Sequence, residues 1–107
     1  MERSFIYITA SSPDEAKALA RRLVELRLAA CANVIDRVAS VYWWDGKVRE
    51  GEEAVVVAKT SGRLVPDLVA EVKRMHSYSC PCVVAMPIAA GNDDFLAWID
   101  SETAARV

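Results

Sequence analysis

Residues 41–47 read Val-Tyr-Trp-Trp-Asp-Gly-Lys, and this stretch decides how the rest of the 107-residue chain folds. Asp45-Gly46 is a dipeptide that two-residue type I′ turns prefer, because both central residues of such a turn need a positive φ. The stretch therefore predicts a tight β-hairpin in which Trp44 lies opposite Lys47.

The two segments that flank this turn are long. Residues 34–44 and 47–60 each exceed the usual strand of about 5 to 6 residues, so we expect an extended hairpin. Tyr42, Trp43 and Trp44 lie near its tip, and aromatic side chains are enriched in subunit interfaces. A monomer that exposed them together with the hairpin edges would invite aggregation. We therefore predict that these three residues lie in a subunit interface.

The composition is that of a globular protein, with 53% hydrophobic and 26% charged residues. The length suits one domain that spans residues 1–107. Thirteen Lys and Arg against fifteen Asp and Glu give a formal net charge of −2. Because this charge offers no bulk attraction for a polyanion, we expect no nucleic-acid partner.

The N-terminus and the cysteines bear on the cellular location. The apolar run after Ser4 covers only about six residues, which is too short for a signal-peptide core or a membrane span. Three cysteines are an odd number, so a disulfide framework is not expected and free thiols are the default. These features predict a cytoplasmic protein with no membrane partner.

Hydrophobic periodicity and capping signals predict the order β-α-β-β-α-β, followed by a short C-terminal helix. Ser12, Pro13 and Glu15 form a helix start, with a Ser N-cap, Pro at the first position and Glu in the capping-box position. This order is the split arrangement of an α+β, ferredoxin-like fold with a long hairpin between its second and third strands. The predicted elements are strand 4–10, a helix from Pro13, strand 34–44 with a bulge near 39–40, strand 47–60, a helix with Pro66 in its first turn, edge strand 82–86 and a helix after 91–94.

Six short motifs occur in order along nearly the whole chain. They are Leu-Ala-Ala-Cys-Ala-Asn at 28–33, Tyr-Trp-Trp-Asp-Gly-Lys at 42–47, Lys-Thr at 59–60, His-Ser-Tyr at 76–78, Met-Pro-Ile at 86–88 and Asp-Phe-Leu-Ala-Trp-Ile at 94–99. Together they resemble the CutA family of divalent-cation tolerance proteins. The resemblance implies a ferredoxin-like homotrimer, similar in architecture to PII-like proteins, in which the long hairpins pair between neighbouring subunits. It also implies a non-enzymatic role in tolerance of divalent metals such as copper, with no required cofactor.

The sequence departs from this family in one segment and at one strand end. Members of the family usually read His-Pro-Tyr and then Pro-Glu, whereas residues 76–82 read His-Ser-Tyr-Ser-Cys-Pro-Cys. Ser77 thus replaces the proline, and Cys82 replaces the carboxylate. Some bacterial relatives also carry a cysteine at the end of the first strand, where this chain has Ala10-Ser11-Ser12. A metal site that relied on that thiol is not expected here.

His76, Cys80 and Cys82 are the candidate metal ligands. Cys80 and Cys82 are two residues apart, so they face the same side of an extended segment. One imidazole with two thiols is a set that Cu(I) or Zn(II) would accept, although the sequence shows no fourth ligand.

The same residues also allow structural interpretations. Cys80 and Cys82 could be small buried side chains, and His76 could cap a helix or contact a neighbouring subunit. Cys31 lies in an Ala-rich connector and receives no role. The acidic run of Glu50, Glu52 and Glu53 is typical of a solvated face.

The functional hypotheses follow from these patterns. We predict no catalytic residues, because a lone histidine without an oriented partner does not activate a nucleophile. The leading hypothesis is a homotrimer that binds a divalent metal, with copper or zinc as the candidate ion. The alternative is a PII-like module that binds a small anionic metabolite in clefts between subunits. A stable scaffold for another protein is a third possibility.

Overall fold

The computed structural model describes residues 2–104, and its elements follow the predicted order. They are β1 (Arg3–Ala10), α1 (Pro13–Glu25), β2 (Cys31–Trp44), β3 (Lys47–Ser61), a 3₁₀ turn (Gly62–Leu64), α2 (Val65–Met75), β4 (Val83–Pro87) and α3 (Asp93–Ala104). The sheet order is β2-β3-β1-β4, and each neighbouring pair is antiparallel. This order confirms the predicted α+β, ferredoxin-like fold.

The turn between β2 and β3 has the predicted geometry. φ is 56° at Asp45 and 76° at Gly46, so both central residues lie in the left-handed region that a type I′ turn requires. Trp44 pairs with Lys47 across the two strands. We call the distal part of this hairpin, residues 38–53, the hairpin arm.

β2 begins three residues earlier than the sequence predicted. Residues 31–33 were expected to belong to a connector, yet they pair with Lys59, Ala58 and Val57 of β3. Their local preference for a strand is weak, and tertiary pairing overrides it because the edge of β3 supplies hydrogen-bond partners. Cys31 therefore lies in the sheet and not in a loop.

The bulge in β2 also differs from the prediction. Ile35 pairs with Val55 and Val38 pairs with Glu53, so the extra residue lies at positions 36–37 and not at 39–40. The apolar residues change phase between Val38 and Val41 because both faces of the hairpin arm carry apolar side chains. When both faces of a strand are apolar, the alternation of apolar and polar residues along the sequence does not predict the register of that strand.

The helices α1 and α2 cover one face of the sheet. One face of α1 is buried, and Pro66 lies in the first turn of α2 as predicted. Deleting one of the large side chains of this core would cost about 2 to 5 kcal/mol. The core contains Ile6, Ile8, Leu19, Leu23, Val56, Leu68 and Val72.

The helix α3 covers one end of the opposite face. Arg3 donates two hydrogen bonds to Asp100, from Nε at 3.0 Å and from Nη2 at 2.6 Å, and these bonds lower the pKa of the Asp100 carboxyl. The hydroxyls of Ser61 and Thr103 form a buried hydrogen bond of 2.7 Å between β3 and α3. Farther along this face, the apolar side chains of Ile35 and Val84 are about half exposed.

Two buried threonines give a matched stability prediction. Within residues 2–104, Thr60 Oγ1 is buried without a hydrogen-bond partner, so Thr60→Val is expected to raise the free energy of unfolding by about 1 kcal/mol. Thr103 Oγ1 donates to the carbonyl oxygen of Ile99 at 2.8 Å and also forms a hydrogen bond with the Ser61 hydroxyl. Thr103→Val should therefore lower the free energy of unfolding by about 1 to 3 kcal/mol. Urea unfolding at one protein concentration checks both signs. Equal destabilisation by the two substitutions would contradict the prediction.

Candidate functional site

Residues 76–82, which we call the crossing loop, connect α2 to β4 past the end of β1. His76 is the C-cap of α2, and its side chain is completely buried. Nδ1 accepts a hydrogen bond from the Tyr78 N–H at 3.0 Å, so the ring proton lies on Nε2, which donates to the Thr9 carbonyl oxygen at 2.7 Å. Both ring nitrogens are therefore engaged within the chain.

The carboxylate of Glu15 fixes the same loop to the start of α1. Oε2 accepts from the Ser77 N–H at 2.8 Å, and Oε1 accepts from the Ser11 N–H at 2.9 Å and from the Ser11 and Ser77 hydroxyls at 2.8 and 3.1 Å. Burial raises the pKa of Glu15, but the hydrogen bonds from Ser11 and Ser77 outweigh it and lower the pKa from 4.5 to about 2. The carboxylate stays charged because four donors surround it.

The predicted helix cap is present in altered form. Ser12 Oγ accepts from the Glu15 N–H at 3.1 Å, as an N-cap serine should. In a capping box the glutamate would bond the Ser12 N–H in return, but Glu15 bonds the N–H of Ser11. This shift leaves the carboxylate within reach of Ser77.

Tyr78 ties the crossing loop to the hairpin arm. Its hydroxyl donates to Glu53 Oε2 at 3.0 Å. Burial, together with this hydrogen bond and the charge of Glu53, raises the pKa of Tyr78 to about 12. Glu53 is therefore part of the site and not of a purely solvated face, while Glu50 and Glu52 are exposed.

A groove of about 680 Å³ lies between the hairpin arm and the crossing loop. The hairpin arm contributes aromatic side chains to the wall of the groove, and the crossing loop contributes the thiols of Cys80 and Cys82. The groove is open to solvent, since Cys80 and Cys82 are exposed free cysteines. Its lining includes Tyr42, Trp44, Glu53, Tyr78, Cys80 and Cys82.

The structure brings together two of the three predicted metal ligands. Cys80 and Cys82 line one groove, whereas His76 does not line it and uses both nitrogens elsewhere. In residues 2–104 there is no group of three or more His, Cys, Asp or Glu side chains that could hold a metal ion. The three residues thus do not form one cluster within the chain. Within a single chain neither thiol is packed in the core, because both are exposed.

The aromatic residues of the hairpin arm lie on both of its faces. Trp43 pairs with Val48 and is 73% exposed, and the neighbouring pairs place Tyr42 and Trp44 on the other face, next to the groove. That Tyr42, Trp43 and Trp44 lie in a subunit interface stays a prediction, because a single chain contains no such interface.

Sequence reasoning missed the residues that position the crossing loop. Glu15 was recognised as a capping residue, but the partnership with Ser77 joins positions 62 apart in sequence. Glu53 was assigned to a solvated acidic run. The only local signal was the departure of 76–82 from the pattern it resembles, and that signal does not show which distant side chains the loop contacts.

These features define a class of protein, namely ferredoxin-like subunits with a long central hairpin and a loop that crosses the end of the sheet. Residues 4–102 match the family model described as CutA1 divalent ion tolerance protein. The chain belongs to this family, which is described by tolerance of divalent ions and not by a reaction.

The relatives support the assignment at the level of sequence and fold. The divalent-cation tolerance protein CutA of Archaeoglobus fulgidus is 45% identical over 97 residues, which cover 91% of this chain and 94% of that protein. Its solved structure, described as a periplasmic divalent cation tolerance protein, has a TM-score of 0.91 at 44% identity and covers 94% of this chain and 98% of that chain. The structure of the Thermus thermophilus protein has a TM-score of 0.92 at 40% identity, and it also covers 94% of this chain and 98% of that chain.

Among residues 2–104, no helix has both the length and the apolar character of a membrane-crossing segment.

Proposed function

We propose that this protein is a non-enzymatic homotrimer that binds a divalent metal, copper in particular, as part of metal tolerance. The observation that carries the proposal is the groove in which two exposed free thiols face the aromatic side chains of the hairpin arm. The family assignment supplies the link to divalent ions.

The proposed ligands are Cys80 and Cys82, because thiolates match soft and borderline metals. His76 was the third predicted ligand, and we propose a positioning role for it instead. Its imidazole would have to give up the hydrogen bond to Thr9 or Tyr78 before it could bind a metal. It holds the loop that carries the thiols.

The trimer proposal rests on exposed apolar surface. Val41 and Trp43 are 69% and 73% exposed on the hairpin arm, and β2 and β4 leave two sheet edges. Pairing of the arms between neighbouring subunits would cover these side chains and edges together. The half-exposed strip of Ile35 and Val84 offers a second surface for the same assembly.

Metal binding is tested by equilibrium dialysis of the reduced protein, without oxygen, against Zn(II) or against copper kept as Cu(I), because Cu(II) would oxidise the thiols. The wild type is expected to retain metal, and the Cys80→Ser/Cys82→Ser double variant is expected to lose it. Cys31→Ser is the matched control, because this half-buried thiol lies in β2 and does not line the groove. His76→Gln should retain metal. Equal retention by the wild type and the double variant would remove the site.

A second candidate function is the PII-like one, in which the groove accepts a small anionic metabolite. The volume of about 680 Å³ favours it, since small-molecule sites span about 300 to 1,000 Å³. Thermal melts of metal-free protein separate the two, because a ligand that binds only the folded state raises the melting temperature. A rise with ATP or 2-oxoglutarate as anionic probes, and none with copper or zinc, would favour the metabolite.

We also propose a reducing compartment such as the cytoplasm. All three cysteines are free, and two of them are exposed, as expected where thiols stay reduced.

A further inference from the structure

The imidazole of His76 lies where the end of α2 meets β1 and the start of α1, and it is completely buried. Nε2 donates to the Thr9 carbonyl oxygen, and Nδ1 accepts from the Tyr78 N–H. The ring of Tyr78 also lies against the imidazole, with the two ring centroids 4.7 Å apart. All of these contacts are made within one chain, and the bond to Tyr78 exists only while Nδ1 carries no proton.

One charged group faces this imidazole. Oε2 of Glu15, on α1, lies 3.9 Å from Nδ1, and the ring has no other ion-pair partner among residues 2–104. Hydrogen bonds from Ser11 and Ser77 outweigh the effect of burial and lower the pKa of Glu15 to about 2. The carboxylate therefore stays negative throughout the range of about pH 5 to 8 in which histidine residues change charge.

The other segments around His76 contribute no second ion-pair partner in the described part of the chain. β1 contributes the backbone carbonyl of Thr9. Tyr78 has a pKa raised to about 12, so its phenol is neutral at these pH values, and its hydroxyl bonds Glu53 of the hairpin arm. The titratable side chains on the last turn of α2 and on the rest of the crossing loop are exposed, and they are Lys73, Arg74, Cys80 and Cys82.

A proton on Nδ1 would exchange one partner of the ring for another. An imidazolium carries N–H groups on both nitrogens, so it keeps the bond to Thr9 but cannot accept from the Tyr78 N–H. The new N–H lies beside Glu15, where closing the distance from 3.9 Å to about 2.8 Å would form a charge-assisted hydrogen bond. The loop that is anchored through Tyr78 thus binds one proton fewer than the released loop, and a fall in pH favours release.

We propose that His76 and Glu15 form a pH-sensitive latch, in which the neutral imidazole holds the crossing loop through Tyr78 and the imidazolium pairs with Glu15 and releases it. The Tyr78 hydroxyl bonds Glu53, so release of the Tyr78 backbone also loosens the connection between the loop and the hairpin arm. The latch goes beyond the proposed function, because it uses neither thiol and is the same whichever ligand the groove binds.

NMR spectroscopy can follow this latch directly, because His76 is the only histidine in the chain. Full-length ¹⁵N-labelled protein in metal-free buffer is titrated from about pH 8 to about pH 5. The ring ¹⁵N shifts report the tautomer and the charge of the imidazole. Hydrogen exchange, corrected for the intrinsic rate at each pH, reports the protection of the Tyr78 amide. We expect the Nε2–H tautomer at high pH and a loss of protection of about 10-fold or more as the ring becomes charged.

Three variants separate the latch from a general effect of acid. His76→Gln has no charge to gain, so the protection of its Tyr78 amide should not change over this range. Glu15→Gln removes the charge that the imidazolium pairs with, so the ring titration and the loss of protection should move together to lower pH. Glu25→Gln, which alters an exposed carboxylate of α1, should behave like the wild type.

Three results would overturn the proposal. The first is a wild-type imidazole that stays neutral over the whole range. The second is an imidazole that becomes charged while the Tyr78 amide stays protected. The third is a loss of protection in His76→Gln that equals the loss in the wild type.

Discussion

Glu15→Gln is expected to lower the free energy of unfolding by about 2 to 3 kcal/mol at pH 7. The side chain is only 16% exposed, and its four hydrogen bonds to the charged form hold the pKa at about 2 against 4.5. Because the folded-state pKa is the lower one, this stabilisation is complete above pH 4.5. It is lost as the pH falls from 4.5 to about 2, where the folded state also takes up the proton.

The pH dependence identifies this carboxylate specifically. The free energy of unfolding of the wild type and of Glu15→Gln is measured with urea at pH 7 and at pH 3, at one protein concentration. The difference in free energy between the two proteins should be much smaller at pH 3. Glu25→Gln is the control, since Glu25 is half exposed and bonds only Arg21 in an i,i+4 pair among the residues described. A wild-type to Glu15→Gln difference that stays constant between the two pH values would contradict the role of the charge.

His76→Leu is expected to lower the free energy of unfolding by about 2 to 4 kcal/mol. The substitution leaves the Thr9 carbonyl and the Tyr78 N–H without their partner, and each unpaired buried group costs about 1 to 3 kcal/mol. His76→Gln can retain a donor toward Thr9, so it should recover part of the loss. The two variants are compared by urea unfolding.

The same pair of variants tests whether His76 acts on the loop. Hydrogen exchange of the crossing loop should accelerate more in His76→Leu than in His76→Gln, because the leucine variant releases both contacts. Unchanged exchange together with wild-type stability in His76→Leu would show that the histidine does not position the loop.

The fold was predictable because its signals are local. The Asp45-Gly46 turn depends on adjacent residues, and the start of α1 depends on Ser12 and Pro13. The errors fell where local preference was weak, as at the start of β2, or where both faces of a strand were apolar, as at the bulge. In both places the partner strand decides the structure.

The candidate site was predictable only in part. The two thiols could be placed together because they are two residues apart in sequence. The histidine next to them could not be evaluated, since its partner Thr9 is 67 positions away and only the folded chain shows that the imidazole is engaged. The groove itself is formed by the hairpin arm and the crossing loop, so no single stretch of sequence contains it.

Native mass spectrometry of the metal-free and copper-loaded protein tests the central claim most directly, because it reports the number of subunits and the number of metal ions together. We predict three chains in both samples and, after loading, one ion per chain that disappears in the Cys80→Ser/Cys82→Ser variant. A monomer would contradict the proposed role of the hairpin arm. A trimer whose copper content is the same in the double variant would contradict the metal site in the groove.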